Sequence, residues 1–267
     1  MKFSCCIELL FTEYPFVERI YHAKECGFDA IEFWNWTDKD CAKISRALED
    51  TGMEVGIFQG NIHGRMVDAR DQQLYLQGVQ ESVKTAKQLG CKNLFLMSDI
   101  MREDRSVLEM DPPITDEEKL EQTKRVLTEL KEVSDRENIN FLIEPLNIKV
   151  DHPGYSLCHS KPAFDLVREI GHPGIRVLYD AYHMQIMEGN IIQTIRDHVQ
   201  EIGYFHVADV PGRMEPGTGE MNFKNIIRAL GEAGYDKIVG FEFSSSQKDS
   251  KKILQTVLDQ IKRGDDI

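Results

Sequence analysis

Short apolar runs alternate with longer amphipathic stretches eight times along the chain, and no other feature of the sequence limits the fold as strongly. The short runs are rich in β-branched and aromatic residues, as strands are, whereas the longer stretches have the apolar spacing of helices. We predict strands at 3–9, 30–34, 54–58, 93–97, 140–144, 176–180, 203–207 and 238–243. We predict helices at 15–26, 38–50, 69–89, 115–137, 161–170, 190–201, 222–233 and 247–263.

Eight strand–helix units can close a parallel sheet into a barrel, and 267 residues is a usual length for one such barrel. A glycine follows five of the predicted helices, where a left-handed residue commonly ends a helix: Gly27, Gly52, Gly90, Gly171 and Gly234. Thr115 and Glu118 have the spacing of a capping box. An open, doubly wound sheet gives the same alternation but does not need eight repeats. We therefore predict an α/β fold, a single (β/α)₈ TIM barrel domain over residues 1–267.

Charge and composition exclude several classes of protein. The formal net charge is −13, whereas a protein that binds nucleic acid needs clustered Lys and Arg to replace counterions. Glu8 comes too early for a signal peptide, and no apolar run reaches membrane-spanning length. The six cysteines include no Cys-x-x-Cys pair, which favours reduced thiols. We expect a cytoplasmic protein that acts on a small molecule, with no nucleic-acid or membrane partner.

Metal-competent residues end four successive predicted strands. Glu144 ends NFLIE, Asp180 ends RVLYD, His206 ends YFH and Glu242 ends VGFE. In α/β barrels the C-terminal ends of the strands meet at the face where active sites are built. A single acid there is commonly a helix cap or an ion-pair partner, but four such residues on adjacent strands indicate one divalent cation site. Three carboxylates and one imidazole suit Mn²⁺, Mg²⁺ or Co²⁺ better than a structural zinc.

Several segments of the sequence resemble a known family. They are IEPLN, LYDAYHMQIMEGN, HVADVPGRMEPGTGEMNF and FEF, together with the opening ELLFTEYPFVERIYHAKECGFDAIEFW. Over nearly the whole chain the sequence is similar to hydroxypyruvate isomerase and its relatives among the xylose-isomerase-like barrels. The resemblance implies that Glu144, Asp180, His206 and Glu242 hold the metal. It also implies that the two glutamates serve as catalytic acid and base.

Three further residues are predicted to contact the substrate, the first two because the family resemblance implies it. His183 lies on the loop that we predict after the sixth strand, and a histidine satisfied within the loop is the alternative. Arg213 lies in PGRMEPGTG, where a guanidinium suits a substrate carboxylate or several hydroxyls, and a surface ion pair with Glu215 is the alternative. His63 gives a weaker signal, because loop histidines are commonly solvated. Glu32 is predicted to be a strand residue with a structural partner, and a role at the barrel mouth is the alternative.

The predicted chemistry is the movement of a proton beside a carbonyl, through an enediolate that a cation stabilises. The leading hypothesis is an isomerase that converts hydroxypyruvate to 2-hydroxy-3-oxopropanoate. A ketose 3-epimerase, or a lyase such as an inosose dehydratase or an enzyme that eliminates from 3-keto glycosides, would use the same intermediate. His206 resembles the histidine of the epimerases, where hydroxypyruvate isomerases tend to carry glutamine. A repair endonuclease and a non-catalytic sensor are further alternatives. A homodimer or homotetramer is expected.

Overall fold

Eight parallel strands close into a barrel in the computed structural model, which describes residues 1–247 and 250–263. The strands are β1 (Lys2–Cys6), β2 (Ala30–Glu32), β3 (Glu54–Gln59), β4 (Asn93–Leu96), β5 (Asn140–Ile143), β6 (Ile175–Asp180), β7 (Ile202–Val207) and β8 (Ile238–Phe241). The helices are α1 (Glu18–Cys26), α2 (Cys41–Thr51), α3 (Gln72–Leu89), α4 (Asp116–Glu137), α5 (Ser160–Ile170), α6 (Ala181–Met187), α7 (Ile191–His198), α8 (Phe223–Glu232) and α9 (Ser250–Arg263). The strand order follows the sequence, and β8 pairs with β1, so the predicted barrel is confirmed.

Two apolar layers hold the barrel together. The larger layer lies between strands and helices and includes Phe141, Phe164 and Phe241, all fully buried. A smaller cluster takes one residue from each of five successive strands, namely Ile57, Phe95, Leu142, Leu178 and Tyr204. Side chains alternate between the two faces of a strand, so this second set fills the barrel interior. Each fully buried side chain of this size contributes about 1.5–3 kcal/mol.

The helix ends follow the predicted signals. Gly52 ends α2 with a φ of 66°, a left-handed conformation that costs glycine little. The Thr115 hydroxyl accepts from the Glu118 amide at 3.2 Å, and the Glu118 carboxylate accepts from the Thr115 amide at 2.8 Å. The capping box that opens α4 is therefore confirmed.

Several predicted boundaries differ from the structure by two or more residues. β1 ends at Cys6 rather than at residue 9, because the chain turns there and the Leu10 amide donates to the Cys6 carbonyl at 3.0 Å. The segment after β6 is the helix α6 rather than a loop, since the Asp180 carboxylate caps it by accepting from the Tyr182 amide at 2.8 Å. The last helix begins at Ser250, and residues 248–249 of its predicted span lie outside the described residues.

Two further features of the described residues concern the cysteines and the apolar character of the helices. All six cysteines lie in the described residues and none forms a disulfide. Across 1–247 and 250–263, no helix combines the length and apolar character needed to cross a bilayer.

Candidate active site

The C-terminal ends of β5 to β8 bring four side chains together. Glu144 follows β5, Asp180 ends β6, His206 lies in β7 and Glu242 follows β8. One ligand atom from each lies within 4.8 Å of those of the other three, and all four residues are buried. The parallel register sets this convergence, because Asp180 pairs with His206 across β6 and β7. The structure thus brings together the four predicted ligands.

The electrostatics of this cluster fit a bound cation. Burial, reinforced by Glu242, raises the pKa of Glu144 well above its usual range. Burial raises the pKa of Asp180 to about 6. Burial acts the same way on Glu242, but Arg213 and His206 outweigh it and hold the pKa of that carboxyl below its usual range. The raised pKa values of Glu144 and Asp180 are what crowded, dehydrated carboxylates show before a positive charge compensates them.

Unpartnered buried atoms point the same way. Asp180 Oδ2 and His206 Nδ1 are buried and accept no hydrogen bond from the described residues. Buried polar atoms of this kind are costly unless something binds them. A divalent cation, which prefers carboxylate oxygen and imidazole nitrogen, fits this donor set.

Arg213 reaches the cluster from the segment between β7 and α8. Its Nη2 lies 2.6 Å from Glu242 Oε2 and 3.6 Å from Asp180 Oδ2, and its guanidinium lies 5.2 Å from the centre of the Tyr182 ring. The alternative of a surface pair with Glu215 is not what the structure contains, since Glu215 accepts from the Ser246 amide at 2.9 Å instead. The guanidinium therefore faces the predicted substrate position.

Asp209 organises the segment that carries Arg213. Its fully buried carboxylate accepts four backbone N–H groups, at distances of 2.9 to 3.1 Å. The donors are Val210, Gly217, Gly219 and Met221. Glycine is required at 219, because a Cβ there would lie 2.1 Å from the Val210 carbonyl oxygen. The segment from 209 to 221 is thus fixed around one carboxylate.

His183 is fully buried on α6, beside the cluster. Its Nδ1 receives the Asn147 backbone amide at 3.3 Å, and its Nε2 lies 3.6 Å from Asp180 Oδ2. Burial, with the nearby Arg213 charge, lowers the pKa of His183 well below its usual value. Because a backbone amide can only donate, the neutral ring carries its proton on Nε2. That proton faces the cluster, where a substrate oxygen could accept it.

A cavity of about 180 Å³ opens onto these residues. Its lining combines Glu144, His183, Arg213 and Glu242 with Trp34, Gln59, Phe95, Met97, Arg105, Leu146 and His152. His63 is exposed and lines a neighbouring cavity of about 530 Å³, which shares Gln59 and Met97 with the first. The structure does not bring His63 together with the other predicted site residues.

Sequence reasoning missed several residues of the site. Trp34, which was not among the predicted site residues, donates its Nε1 proton to Glu242 Oε1 at 2.6 Å. Arg105 and His152 line the cavity from the segments after β4 and β5. Asp209 carried a usable signal, since an acid two residues past a buried strand needs partners. Arg105 carried none, because exposed arginines in a polar stretch are common.

The family model that matches the chain is described as the xylose isomerase-like TIM barrel, and it covers residues 20–263. The chain belongs to this family. The family resemblance predicted from the sequence is confirmed, because the chain has curated hydroxypyruvate isomerase homologues over about nine-tenths of its length.

Three curated relatives illustrate the similarity. A Danio rerio protein with the provisional name hydroxypyruvate isomerase is 32% identical over 91% of this chain and 90% of its own length. Hydroxypyruvate isomerase of Escherichia coli K12 is 28% identical over 91% of this chain and 93% of its own. A 2-oxo-tetronate isomerase of Pectobacterium atrosepticum is 28% identical over 92% and 93%. These relatives support an isomerase.

Solved structures show the same fold. A Brucella melitensis structure titled AP endonuclease, family 2, has a TM-score of 0.86, 26% identity and 99% coverage of both chains. A D-psicose 3-epimerase of Clostridium cellulolyticum H10, with D-tagatose, has a TM-score of 0.82 and 17% identity over the full length of both chains. At that identity the epimerase is evidence for the fold alone.

Proposed function

We propose that the protein is a divalent-metal-dependent isomerase of a small hydroxy carbonyl compound, with hydroxypyruvate as the leading substrate and 2-hydroxy-3-oxopropanoate as its product. The observation that carries this proposal is the buried convergence of three carboxylates and one imidazole, of which Glu144 and Glu242 line a small cavity. The curated isomerase relatives support the same reaction class.

The four converging residues would hold Mn²⁺, Mg²⁺ or Co²⁺. When bound, the cation would act as a Lewis acid that stabilises negative charge on the substrate oxygens, a contribution usually worth several kcal/mol. Asp180 and His206 have mainly this binding role, whereas Glu144 and Glu242 also exchange the proton.

The reaction moves two hydrogens within hydroxypyruvate. One glutamate removes a proton from the hydroxymethyl carbon, and its electron pair forms the double bond of an enediolate. The other glutamate delivers a proton to the neighbouring carbon, while the hydroxyl proton passes from one oxygen to the other. Since the reverse reaction follows the same path, each glutamate acts as acid in one direction and as base in the other.

The surrounding side chains would orient the substrate. His183 Nε2–H and the Arg213 guanidinium face the cavity as fixed donors, and Arg105 adds a second positive charge to its lining. Trp34 and Arg213 bond the two oxygens of Glu242 and so fix its direction. A cavity of about 180 Å³ has the volume of about six liquid water molecules, which suits a substrate of a few carbon atoms.

Exchange of substrate protons with deuterated water tests this proposal. Purified protein, reconstituted separately with each of the three metals, is incubated with hydroxypyruvate and with a panel of keto sugars. We expect metal-dependent deuterium incorporation, and its absence on every substrate would refute the proposal. Product analysis separates the outcomes, since an epimer or an eliminated water or aglycone would replace the isomerase assignment by an epimerase or a lyase.

Matched variants test the roles of the two glutamates. Glu144→Gln and Glu242→Gln should each lose at least about a hundredfold in turnover, the usual scale of a proton-transfer group. Glu54→Gln is the control, because Glu54 pairs with Lys2 at the opposite end of the barrel. Turnover that survives in either site variant would contradict the assigned roles.

The endonuclease title of the Brucella melitensis structure makes DNA cleavage the second candidate. The net charge of −13 opposes it, because phosphate backbones bind through clustered basic residues. Tight binding of an abasic duplex at physiological salt, followed by strand cleavage, would favour the endonuclease over the isomerase.

A further inference from the structure

A buried glutamate lies beneath the four converging residues and has no part in the function proposed above. We propose that Glu32 is a positioning residue for His206: its carboxylate holds the Nε2–H of the imidazole and so presents Nδ1 to the cation. This inference rests on the proposed metal site. It concerns an interaction inside the barrel rather than contact with substrate.

The contacts of Glu32 are all made across the barrel. Glu32 ends β2 and is 2% exposed, and its Oε1 lies 3.1 Å from His206 Nε2. Its Oε2 accepts the Tyr204 hydroxyl proton at 2.6 Å. Both residues belong to β7, which is separated from β2 in the sheet by β1 and β8. A single carboxylate therefore fixes two side chains of the distant strand.

The two nitrogens of His206 face different groups. Nε2 faces Glu32, whereas Nδ1 lies 3.3 Å from Glu242 Oε2 and 3.9 Å from Glu144 Oε1. Carboxylates therefore face both nitrogens, and the shorter contact, at 3.1 Å, is the one between Glu32 Oε1 and Nε2. A ring proton on Nε2 matches that shorter contact and leaves the Nδ1 lone pair, which faces the proposed metal ligands, for a cation. Carboxylates that hold metal-binding histidines in this way fix both ring tautomer and orientation.

Two glycines leave the space that this contact needs. Gly240 pairs with His206 across β7 and β8, and a Cβ there would lie 2.4 Å from Glu32 Oε2 and 2.7 Å from His206 Cδ2. A Cβ on Gly56 would lie 2.5 Å from the Tyr204 hydroxyl oxygen. Glycine inside a strand is less favourable than alanine, because it loses more backbone entropy on folding. Glycine at these two positions therefore leaves room for the Glu32 contacts, although glycine is a poor strand residue.

Metal affinity distinguishes positioning from ordinary core packing. The probe is Mn²⁺ alone, titrated by calorimetry into metal-free wild type, Glu32→Gln, Tyr204→Phe and Asp68→Asn. Glu32→Gln should raise the Kd by about 10- to 100-fold, the usual effect of losing such a partner. Tyr204→Phe removes one bond to the carboxylate and should raise the Kd by a smaller factor, up to about tenfold.

Asp68→Asn is the matched control. Asp68 is 3% exposed and accepts from Arg70, so the variant also removes a charge from a buried carboxylate, but in the segment between β3 and α3. Its Kd for Mn²⁺ should equal that of wild type. A Kd for Glu32→Gln equal to that of wild type would overturn the inference, and if that variant does not fold, an unchanged Kd for Tyr204→Phe would do so.

The ring tautomer gives a readout that a merely structural role would not move. In wild type, ¹⁵N-edited NMR of the His206 ring should show a slowly exchanging proton on Nε2, with and without Zn²⁺ as a diamagnetic probe. That proton should exchange faster in Glu32→Gln. A wild-type ring protonated on Nδ1 alone would overturn the inference. Failure of wild type to bind Mn²⁺ would instead count against the proposed function, since the metal-free spectrum tests Glu32 separately.

Discussion

Replacement of Asp209 by asparagine tests how firmly the segment that carries Arg213 is held. The substitution keeps the shape of the side chain but converts one of its two oxygens into an amino group. In the native protein Oδ1 accepts from Val210 and Met221, and Oδ2 accepts from Gly217 and Gly219. Asparagine can satisfy one of these pairs, while its amino group points two hydrogens at the other.

The burial of the four donors decides which pair is lost and at what cost. Val210 and Met221 are buried, whereas Gly217 and Gly219 are exposed. The oxygen should therefore stay with the buried pair, because water can reach the other two amides. An unpaired buried donor costs about 1–3 kcal/mol, and partial hydration puts each of these two near the lower end. We expect Asp209→Asn to lower the free energy of unfolding by about 2–4 kcal/mol.

Urea unfolding followed by circular dichroism measures that loss, and Asp116→Asn is its control. The Asp116 side chain is 98% exposed, so its loss should change the free energy of unfolding by less than about 0.5 kcal/mol. In assays without urea, where Asp209→Asn is folded, a displaced Arg213 should also lower its kcat/KM. If Asp209→Asn unfolded with wild-type stability and kept full kcat/KM, the carboxylate would not be what orders this segment.

Three further predictions follow from the same contacts. Arg213→Lys should lower kcat/KM by about 10- to 100-fold in steady-state assays, since the shorter, non-planar lysine head cannot hold the Nη2 position 2.6 Å from Glu242 Oε2, and bonds to charged groups contribute about 1.5–3 kcal/mol. Gly240→Ala should lower the free energy of unfolding by about 1–3 kcal/mol, because its Cβ would overlap Glu32. Gly231→Ala should not lower it, because the nearest atom of the described residues to its Cβ is a Met1 methyl at 3.7 Å and alanine is favoured over glycine in α8; equal urea midpoints for the two variants would contradict this. Chelation of the metal should lower the Tm by roughly 5–10 °C, because Mn²⁺ at a hundred times its Kd stabilises the folded state by about 2.7 kcal/mol. A Tm that does not change when chelator is added would contradict the metal site.

The barrel and the convergence of its strand-end residues were predictable because both follow from local pattern. Apolar runs of strand length define the sheet, and parallel strands end on one face, so Asp180 and His206 had to meet there. The helix α6 was missed for an equally physical reason. Asp180 both offers an oxygen to the cluster and caps α6 by accepting from the Tyr182 amide. The sequence pattern marked Asp180 as a metal ligand but did not show that it also caps a helix.

Contacts across the barrel could not be predicted from the local sequence pattern. Trp34 meets Glu242 from 208 positions away, and Tyr204 meets Glu32 from 172. Alternation along a strand tells which side chains point inward, but pairing them requires the strand stagger of the closed barrel. Glu32 was accordingly predicted to have a structural partner, without the partner being identified. That partner is His206, a proposed metal ligand, so the proposed role of Glu32 is to position this ligand.

The division between strand and loop also explains why reaction class is easier to infer than substrate. Glu144, Asp180, His206 and Glu242 lie at strand ends, so the barrel fixes their arrangement whatever the loops do. Arg105 lines the same cavity from a loop, so the strand pattern of the sequence does not predict where its charge lies. Arg213 also lies in a loop, but backbone amides of that loop donate to the Asp209 carboxylate and hold the loop in place. A substrate carboxylate would therefore meet Arg213 as a fixed donor and Arg105 as an adjustable one, so substitutions at Arg105 should alter the choice of substrate more than the rate of proton transfer.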